Sequence, residues 1–380
     1  MTTSTGTRPA DDVEVVRRVL AHIDAGTTDE GESWREPVGN YLDPGRFAAE
    51  MRLLRSTPSV FVPSAAVPGS GDHVERVAFG VPLFAVRDRD GRARVFRNSC
   101  RHRGVALVEG PGCSHALVCR YHGWTYRLDG SLSHVPHPGG FPDLDPSARG
   151  LVEVPSAEVD GLIVIAGVEP GAPADLAALA DGAVWRDKLL PASRLFDVST
   201  AVRPMNWKVL VEQFLEGYHI RTTHRETFYP LQYDNLNVIE TFGPNSRITY
   251  PYRAVERLRE RPEETWTVER RLTFLYQLFP NVMIATFPDR VVVVVVDPVD
   301  VDHTTVTSYA LTDPAVFGDL PGEPTPGGKL IADGLLEDDR MSAGVQRGLH
   351  AGANEFVEFG RHESAIGHFH RTLTDRLDGT

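Results

Sequence analysis

Two short motifs, each containing one cysteine and one histidine, limit how this chain can fold. Cys100 and His102 lie in the stretch NSCRHRG, and Cys119 and His122 lie in CRYHGWTY. Two thiolates and two imidazoles can hold a tetrahedral zinc ion, or a [2Fe-2S] cluster in which histidines replace cysteines on one iron. Either metal requires the two motifs to approach each other as loops.

The way the ligand types are distributed favours the cluster. Zinc sites of this composition usually place both cysteines in one motif and both histidines in the other, whereas each motif here supplies one of each. Two loops would then meet at a two-iron cluster, with the two cysteines on one iron and the two histidines on the other. The third cysteine, Cys113, has no partner and is predicted to be a free thiol.

Length and charge limit the kind of protein. At 380 residues the chain exceeds the size at which one hydrophobic core usually stops growing, which favours two domains. The formal net charge of -13 argues against sequence-independent binding to nucleic acid or to an anionic membrane, because both would repel an acidic surface. Small molecules and other proteins remain as the expected partners.

Cysteine usage and hydropathy bear on location. Three cysteines in so long a chain cannot form a disulfide framework, which favours a reducing compartment. The first residues, MTTSTGTRPADD, lack the apolar core of a signal peptide. The longest apolar run, VVVVVV at 291–296, is far too short to span a bilayer and is predicted to be a strand buried on both faces. We therefore expect a cytoplasmic protein.

The pattern of the sequence changes along the chain and predicts three segments. Residues 1–45 include DDVEVVRRVLAHIDAG, in which helical spacing of apolar residues follows an acidic start. Residues 46–166 contain short β-branched runs and Asp-Gly turn signals, which predict a small all-β domain. Residues 167–380 combine strand-like runs with helical segments around 205–219 and 335–360. That order predicts an α+β plan, an antiparallel sheet flanked by helices.

A second group of metal-ligand residues begins in NWKVLVEQFLEGYHIRTTH at 206–224. Its apolar residues recur at helical spacing, which predicts an amphipathic helix with Glu216 and His219 on the other stripe. His224 follows His219 by five residues, roughly 140° round a regular helix. The two imidazoles can therefore share a face only if the helix bends or ends between them, and the β-branched IRTT is the expected end.

The third ligand is predicted in LLEDDRMSAGVQRGL at 335–349. On a helix, Asp338 lies on the same side as three apolar residues, the expected buried stripe. Those residues are Met341, Val345 and Leu349. A carboxylate on an apolar face is costly unless it is paired or binds a metal. Glu337 and Asp339 are expected to project elsewhere, so Asp338 is the predicted ligand.

His219, His224 and Asp338 would form a 2-His-1-carboxylate facial triad, which holds iron(II) and keeps positions open for oxygen and substrate. Taken alone, two histidines and a distant aspartate are a weak signal, and two unrelated histidines are then the better interpretation. The presence of the cysteine and histidine motifs in the same chain reverses that preference.

The cysteine motifs resemble the two cluster loops of Rieske proteins. The resemblance rests on CRHRG at 100–104 and CRYHGWTYRLDGSL at 119–132. It implies that Gly104 and Gly123 let the backbone approach the cluster, and that Trp124 packs beside it as a shield.

The second half of the chain resembles the catalytic domain of Rieske non-heme iron oxygenases. Residues 206–224 are similar to their iron-binding segment, and Asp338 with Gln346 is similar to the segment that carries the third ligand. The resemblance covers about 45–370. It implies a START/Bet v 1-like helix-grip fold for the catalytic domain, behind a small all-β Rieske [2Fe-2S] domain.

The family implies an enzyme, the terminal oxygenase (alpha) subunit of a Rieske system. Electrons would pass from NAD(P)H through a separate ferredoxin or flavin reductase to the [2Fe-2S] cluster and then to a mononuclear Fe(II) that activates O2. The substrate would be a small organic molecule, aromatic or a methylated amine, that is monooxygenated or oxidatively demethylated. A homotrimer is also implied, in which the cluster of one subunit serves the iron of the next.

Glu216 departs from the commonest family pattern. Most ring-hydroxylating members have Asp at this position, whereas members that act on quaternary ammonium compounds have Glu. The resemblance implies that this carboxylate bonds His219 in its own chain and a cluster histidine such as His122 across the subunit interface. The implied catalytic residues are thus Glu216, His219, His224 and Asp338, and the glutamate favours monooxygenation.

Other interpretations remain open. The chain could be a ring dioxygenase that forms cis-dihydrodiols, or a Rieske electron-transfer or ligand-binding protein with a vestigial iron site. Five aromatic residues near the proposed iron either line a substrate pocket or belong to the core. They are Phe214, Tyr218, Phe228, Tyr229 and Tyr233. The C-terminal His362, His368 and His370 are expected to be exposed on a terminal helix.

Overall fold

The structure, a computed structural model, describes residues 4–5, 8–169, 171, 176, 185, 188–189, 193–313 and 326–379. The chain forms two compact units, Leu54–Ala183 and a larger unit in which Met1–Leu53 joins Val184–Thr380. The predicted division into 1–45, 46–166 and 167–380 stays a prediction. Most of 170–192, beside the predicted boundary at 167, lies outside the described residues.

The strands are numbered in chain order among the residues described. They are β1 (Ser4–Thr5), β2 (Trp34–Pro37), β3 (Ser59–Pro63), β4 (Asp72–Ala78), β5 (Val81–Arg87), β6 (Ala93–Arg97), β7 (Gly112–Cys113), β8 (Leu117–Val118), β9 (Thr125–Tyr126), β10 (Leu132–His134), β11 (Glu153–Val154), β12 (Ser156–Val159), β13 (Leu162–Ile165), β14 (Arg194–Arg203), β15 (Val238–Phe242), β16 (Asn245–Pro251), β17 (Leu272–Leu278), β18 (Val282–Thr286), β19 (Val291–Pro298), β20 (Thr304–Thr312) and β21 (Phe356–Phe359). The helices are α1 (Asp12–Ala25), α2 (Gly39–Leu42), α3 (Pro44–Ser56), α4 (Trp207–Glu212), α5 (Ile220–Thr223), α6 (Pro326–His350) and α7 (Ser364–Asp378).

The smaller unit is built from short antiparallel strands. Its sheets have the orders β10-β9-β8, β11-β6-β5-β4-β7 and β12-β13-β3. The two Asp-Gly signals lie between strands that pair as hairpins, β5 with β6 and β9 with β10. One buried cluster joins Phe84 and Phe96 of the central sheet to Cys100, Cys119 and Trp124. The predicted small all-β domain is confirmed.

The larger unit contains one long sheet in the order β1-β15-β16-β17-β18-β19-β20-β14. Every pairing is antiparallel except that of β1 with β15. Helix α7 packs against β15 and β16, and α4 packs against β19. The VVVVVV run forms β19 and is buried along its whole length, as predicted for a strand covered on both faces. The predicted antiparallel sheet flanked by helices is therefore confirmed.

The predicted helix of residues 206–224 is broken in the structure. Asn206 caps α4, which ends at Glu212, and IRTT is a helical turn of its own, α5, instead of a helix end. The break precedes His219 because the Glu216 carboxylate accepts the backbone N–H groups of Tyr218 and His219 and so starts a new turn. The prediction was right that the helix does not continue regularly, but wrong about where it ends.

Helix α6 buries a polar stripe instead of the predicted apolar one. Met341 and Val345 are 54% and 45% exposed, although Leu349 is buried as expected. The buried residues at i+4 spacing are Asp338, Ser342 and Gln346. They face inward because they bond the α4 region: Ser342 donates to Gln213, and the Asn206 N–H donates to Gln346 at 2.9 Å. Across the described part of the chain, no helix has the length and apolarity to cross a membrane.

Candidate metal sites

Cys100 and Cys119 lie in two loops of the same shape. In each loop the cysteine N–H donates to the carbonyl five residues later at 2.8 Å, and the cysteine carbonyl accepts from the glycine N–H four residues later at 2.9 Å. The glycines, Gly104 and Gly123, have φ of 84° and 73°, a left-handed conformation that other residues adopt only with strain. The repeated spacing in the sequence is therefore a repeated backbone turn.

The side chains of the two loops converge in a form that suits a cluster. Both cysteines are buried, and the rings of His102 and His122 lie 4.6 Å apart between centroids. Trp124 stacks on His102 at 5.0 Å. The Nδ1 atom of His102 is buried without a hydrogen-bond partner. An orphaned imidazole nitrogen is costly, so the donor set fits a group that binds this atom.

The electrostatics of the loops also suit metal binding. Burial raises the pKa of the Cys100 thiol, although the Tyr126 hydroxyl 3.3 Å away offsets part of the effect. Desolvation, with His122 and Arg103, lowers the pKa of His102 and keeps its imidazole neutral. Neutral imidazole is the form that binds metals, and a buried thiolate gains its charge balance from the metal. Cys113 is exposed on β7 and belongs to neither loop.

The larger unit brings together His219, His224 and Asp338. The two Nε2 atoms are 3.2 Å apart, and Asp338 Oδ1 lies 3.4 Å from His219 Nε2 and 2.9 Å from His224 Nε2. Ligand atoms held about 2.1 Å from one metal ion at right angles are about 3 Å apart. Among the described residues, these three are the group of His, Cys, Asp and Glu side chains whose ligand atoms converge in this way.

Local structure positions each of the three side chains. His219 precedes the single turn of α5 and His224 ends it, so the short helix turns both imidazoles toward one point. Asp338 comes from the buried stripe of α6. Gly334, one turn earlier in α6, allows the helix to lie close to Phe228, because a Cβ there would be 2.4 Å from the Phe228 ring.

Each histidine is held by a carboxylate at its second ring nitrogen. His219 Nδ1 bonds Glu216, and His224 Nδ1 lies 2.8 Å from Glu337, which also accepts from Thr227 at 2.6 Å. These bonds leave both Nε2 lone pairs for a metal. The expectation that Glu337 projects away from the site is wrong. Such a residue could have been predicted, because the second ring nitrogen of a metal-bound histidine needs a hydrogen-bond partner.

Asp339 does project away, as predicted, and pairs with Arg203 at 2.9 Å. The site as a whole attracts positive charge. Burial by itself would lower the pKa of His219, but the carboxylates of Asp338 and Glu216 outweigh it and raise this pKa to about 10. Burial would likewise raise the pKa of Asp338, and bonds to both histidines lower it instead. A divalent cation can take the place of the proton that these groups share.

A cavity opens beside the three ligand atoms. Its walls come from the segment 213–232, from one face of β16 to β19 and from α6. Leu275, Ala285 and Val292 are register partners on adjacent strands, so their side chains lie on the same face of the sheet. The lining residues are Gln213, Phe214, Glu216, His219, Ile220, His224, Phe228, Gln232, Tyr250, Thr273, Leu275, Ala285, Phe287, Val292, Val294, Leu335 and Asp338.

The five predicted pocket aromatics divide into two groups. Phe214 and Phe228 line the cavity. The three tyrosines do not, since Tyr218 is 64% exposed and the rings of Tyr229 and Tyr233 lie against Arg253, at 5.4 and 5.1 Å from its guanidinium. Sequence proximity placed all five near the iron, but the three tyrosines lie outside the cavity lining.

A buried charged network lies beneath α4. Lys208 bonds both carboxylate oxygens of Glu50 at 2.7 and 2.9 Å. Glu212 accepts from the Tyr41 hydroxyl and from His370, both at 2.7 Å. His370 is 1% exposed, so the expectation that it lies on the surface is wrong. Its i+4 position behind Ile366 on α7 turns it inward.

Known families match both units. The Ring hydroxylating alpha subunit (catalytic domain) family matches residues 194–379, and the Rieske [2Fe-2S] domain family matches 58–151. The chain thus combines a Rieske domain with a ring-hydroxylating alpha-subunit catalytic domain. The predicted Rieske [2Fe-2S] domain and mononuclear iron domain are thereby confirmed as domain types.

Relatives of this alpha-subunit family include both monooxygenases and dioxygenases. The carnitine monooxygenase oxygenase subunit of Escherichia coli (strain K12) is 32% identical over 204 residues, 51% of this chain and 53% of that protein. Chlorobenzene dioxygenase subunit alpha of Cupriavidus sp. (strain PS12) is 34% identical over 161 residues, 40% of this chain and 36% of that protein. The alignment thus spans about half the length of the first relative and less of the second.

A solved structure shares the fold of this alpha-subunit family. The crystal structure of the quaternary ammonium Rieske monooxygenase CntA matches with a TM-score of 0.77 at 21% identity, covering 90% of this chain and 95% of that one. The fold predicted from the sequence is therefore the fold of this family.

Proposed function

We propose that the chain is the terminal oxygenase of a Rieske system and hydroxylates a small organic substrate with O2 and electrons that originate in NAD(P)H. The observation that carries the proposal is the convergence of His219, His224 and Asp338 on one point at the edge of a cavity. An electron carrier needs neither the convergent triad nor the cavity, and both occur in a chain with a Rieske domain.

The proposed ligands divide between the two units. His219, His224 and Asp338 would hold the mononuclear iron, and the cluster would be held by the two loop motifs. The loop ligands are Cys100, His102, Cys119 and His122. When bound, the iron supplies oxygen activation and the cluster supplies single electrons.

The surrounding side chains hold the ligands in place. The Nδ1–H groups of His219 and His224 each donate to a carboxylate, which fixes the tautomer and the ring orientation. Glu216 also accepts two backbone N–H groups, so one side chain positions both the loop and the His219 ring. Apolar side chains from the sheet form the cavity walls and exclude water from the substrate.

We further propose a homotrimer that receives electrons from a ferredoxin or flavin reductase. Glu216 would connect His219 to a cluster histidine of the neighbouring subunit, such as His122. A similar solved structure, of a quaternary ammonium Rieske monooxygenase, reveals insights into inter-subunit electron transfer, and the bond of Glu216 to His219 in this chain supports an equivalent role. The glutamate favours monooxygenation or oxidative demethylation. A ring dioxygenase is the second candidate, favoured by the apolar and aromatic cavity walls.

Electron paramagnetic resonance of the anaerobically reduced protein with nitric oxide tests the proposal. We expect a Rieske signal together with an iron-nitrosyl signal that changes when a pool of small aromatics or of methylated amines is added. A Rieske signal without an iron-nitrosyl signal would leave an electron carrier and refute the oxygenase assignment.

A further inference from the structure

We propose that the substrate of this cavity carries no carboxylate or other anionic group. This proposal rests on the oxygenase function proposed above. Carnitine-like zwitterions and aromatic acids are then excluded, while uncharged molecules and cations without an acidic end remain.

Apart from the two histidines of the proposed iron site, the cavity walls among the residues described contain acidic but no basic side chains. The carboxylates of Glu216 and Asp338 line the cavity. The rest of the lining, apart from the two histidines, consists of neutral side chains, and neither lysine nor arginine contributes. An anionic substrate group beyond contact with the iron would therefore be buried without a lysine or arginine counterion, an arrangement that desolvation opposes.

Basic side chains from neighbouring elements are engaged elsewhere. Lys208 is fully buried against Glu50. Arg203 pairs with Asp339. The guanidinium of Arg253 lies over the rings of Tyr229 and Tyr233, outside the cavity lining.

The segment 314–325, beside β20 and α6 in the chain, also offers no cation. Its sequence is PAVFGDLPGEPT, which contains two acidic residues and neither lysine nor arginine. A basic partner for a substrate carboxylate is thus missing from the cavity lining and from this adjoining stretch of sequence.

Other polar groups that face the cavity are neutral. The Tyr250 hydroxyl donates to the Phe214 carbonyl at 2.7 Å, and the Thr273 hydroxyl lies 3.0 Å from that of Tyr252. Gln213 accepts from Ser342. These groups are already partnered and leave an apolar and aromatic surface, which suits hydrocarbon parts and, through ring faces, a methylated cation.

Matched ligand pairs test the proposal by isothermal titration calorimetry on the iron-loaded holoenzyme without oxygen. Toluene is paired with benzoate, and the methyl ester of γ-butyrobetaine is paired with γ-butyrobetaine itself. We expect at least one carboxylate-free member to bind, and its acidic partner to bind roughly tenfold more weakly or worse. A smaller ratio, or no binding by either carboxylate-free member, overturns the proposal.

Two variants that replace an alanine by leucine test whether the ligand binds in this cavity. Ala285→Leu narrows the cavity and is expected to weaken binding of the carboxylate-free probe about fivefold or more, because a filled cavity excludes the ligand. Ala332→Leu, on the exposed side of α6, is the control and should bind like the parent. Equal binding by both variants would place the ligand elsewhere and overturn the proposal.

The same samples separate this inference from the function on which it rests. Iron content and the Rieske signal are measured before titration. Absence of the mononuclear iron would refute the oxygenase function, whereas preferred binding of benzoate or γ-butyrobetaine with both metal sites filled would refute only the proposed substrate class.

Discussion

The two candidate metal sites are built in opposite ways. The cluster loops lie within residues 100–124, and the hydrogen bonds that shape each turn join residues of the same loop. The mononuclear site joins His219 and His224 to Asp338, more than a hundred residues later in the chain, through packing of α6 on α4 and α5. A local site needs little beyond its own turns, whereas a distributed site exists only when the whole unit is folded.

The supports of the two sites differ in the same sense. Behind the cluster loops lies an apolar core with Phe84, Phe96 and Leu117. Beneath the mononuclear site, α4 is fixed by buried charges, with Lys208 on Glu50 and Glu212 on His370. Breaking a buried ion pair leaves an uncompensated charge and is strongly destabilising, so we expect the mononuclear site to be lost under milder perturbation than the cluster.

We expect the largest effect from removing the Asp338 carboxylate, and little effect from removing that of its neighbour Asp339. Asp338→Ala should abolish binding of the mononuclear iron and turnover while the cluster remains, because the triad loses its carboxylate arm. Asp339→Ala is the matched control, since this neighbour pairs with Arg203. Iron analysis per chain with visible absorption of the cluster makes the measurement, and three irons in Asp338→Ala would contradict the triad.

The converse experiment removes the local site. Cys119→Ser should abolish the cluster and leave the mononuclear iron bound, because the two sites lie in separate compact units. Cys113→Ser, at an exposed cysteine outside the loops, should keep both metals. Loss of both metals in Cys119→Ser would show that the two sites do not form independently.

Glu216→Gln probes the connection between the two sites. We expect both metals to stay bound and turnover with any reductase to fall about 100-fold, the scale on which removing a histidine's carboxylate partner acts at metal sites. Stopped-flow reoxidation of the cluster measures the electron-transfer step directly. Glu226→Gln, an exposed residue ten positions later, is the control. Normal turnover in Glu216→Gln would refute the proposal that this carboxylate connects His219 to the cluster of the neighbouring subunit.

Glu337→Gln should have a smaller effect on the same site. The amide still bonds His224 but no longer carries charge, so we expect iron affinity to fall roughly 10-fold to 100-fold while folding is preserved. Competition with a chelator gives the affinity. Asp333→Asn, one turn earlier and paired with Lys329, should behave like the parent, and equal affinities in both variants would deny Glu337 its supporting role.

The smallest expected effect is a pH dependence confined to the larger unit. Burial would raise the pKa of Glu36, but His370, Asn40 and Trp34 lower it from 4.5 to about 2. Burial would lower the pKa of His370, but Glu212 and Glu36 raise it above 6.5. The Glu36 contribution to stability is present above pH 4.5 and is lost as the pH falls toward 2. The His370 contribution is present below pH 6.5 and is lost as the pH rises through its raised pKa.

We therefore expect the stability of the larger unit to fall less with rising pH in His370→Gln than in the parent, and the cluster to be unaffected. Calorimetric unfolding over a series of pH values from about 6 upward measures the effect. His303→Gln, at a half-exposed histidine paired with Asp300, should retain the parent's pH dependence. An unchanged pH dependence in His370→Gln would show that His370 does not cause the loss of stability at high pH.

The two regions also differ in how far the sequence predicted them. The cluster ligands follow from residue type and spacing, because each motif closes a turn through its own backbone. His219 and His224 were recognisable beside those motifs. The polar stripe of α6 was not, because Ser342 and Gln346 are buried only through their bonds to the α4 region. Glu337 was missed for the same reason.

The two-part plan of an all-β unit and an α+β unit, the cluster motifs and the candidates for the iron triad could all be predicted from the sequence. These depend on hydrophobic periodicity, turn chemistry and ligand spacing, which act over a few residues. The tertiary structure alone decided where the helix breaks before His219, which carboxylate supports His224, and which side chains form the cavity walls. These depend on contacts between distant segments, where a side chain faces inward only if its partner has been brought to meet it.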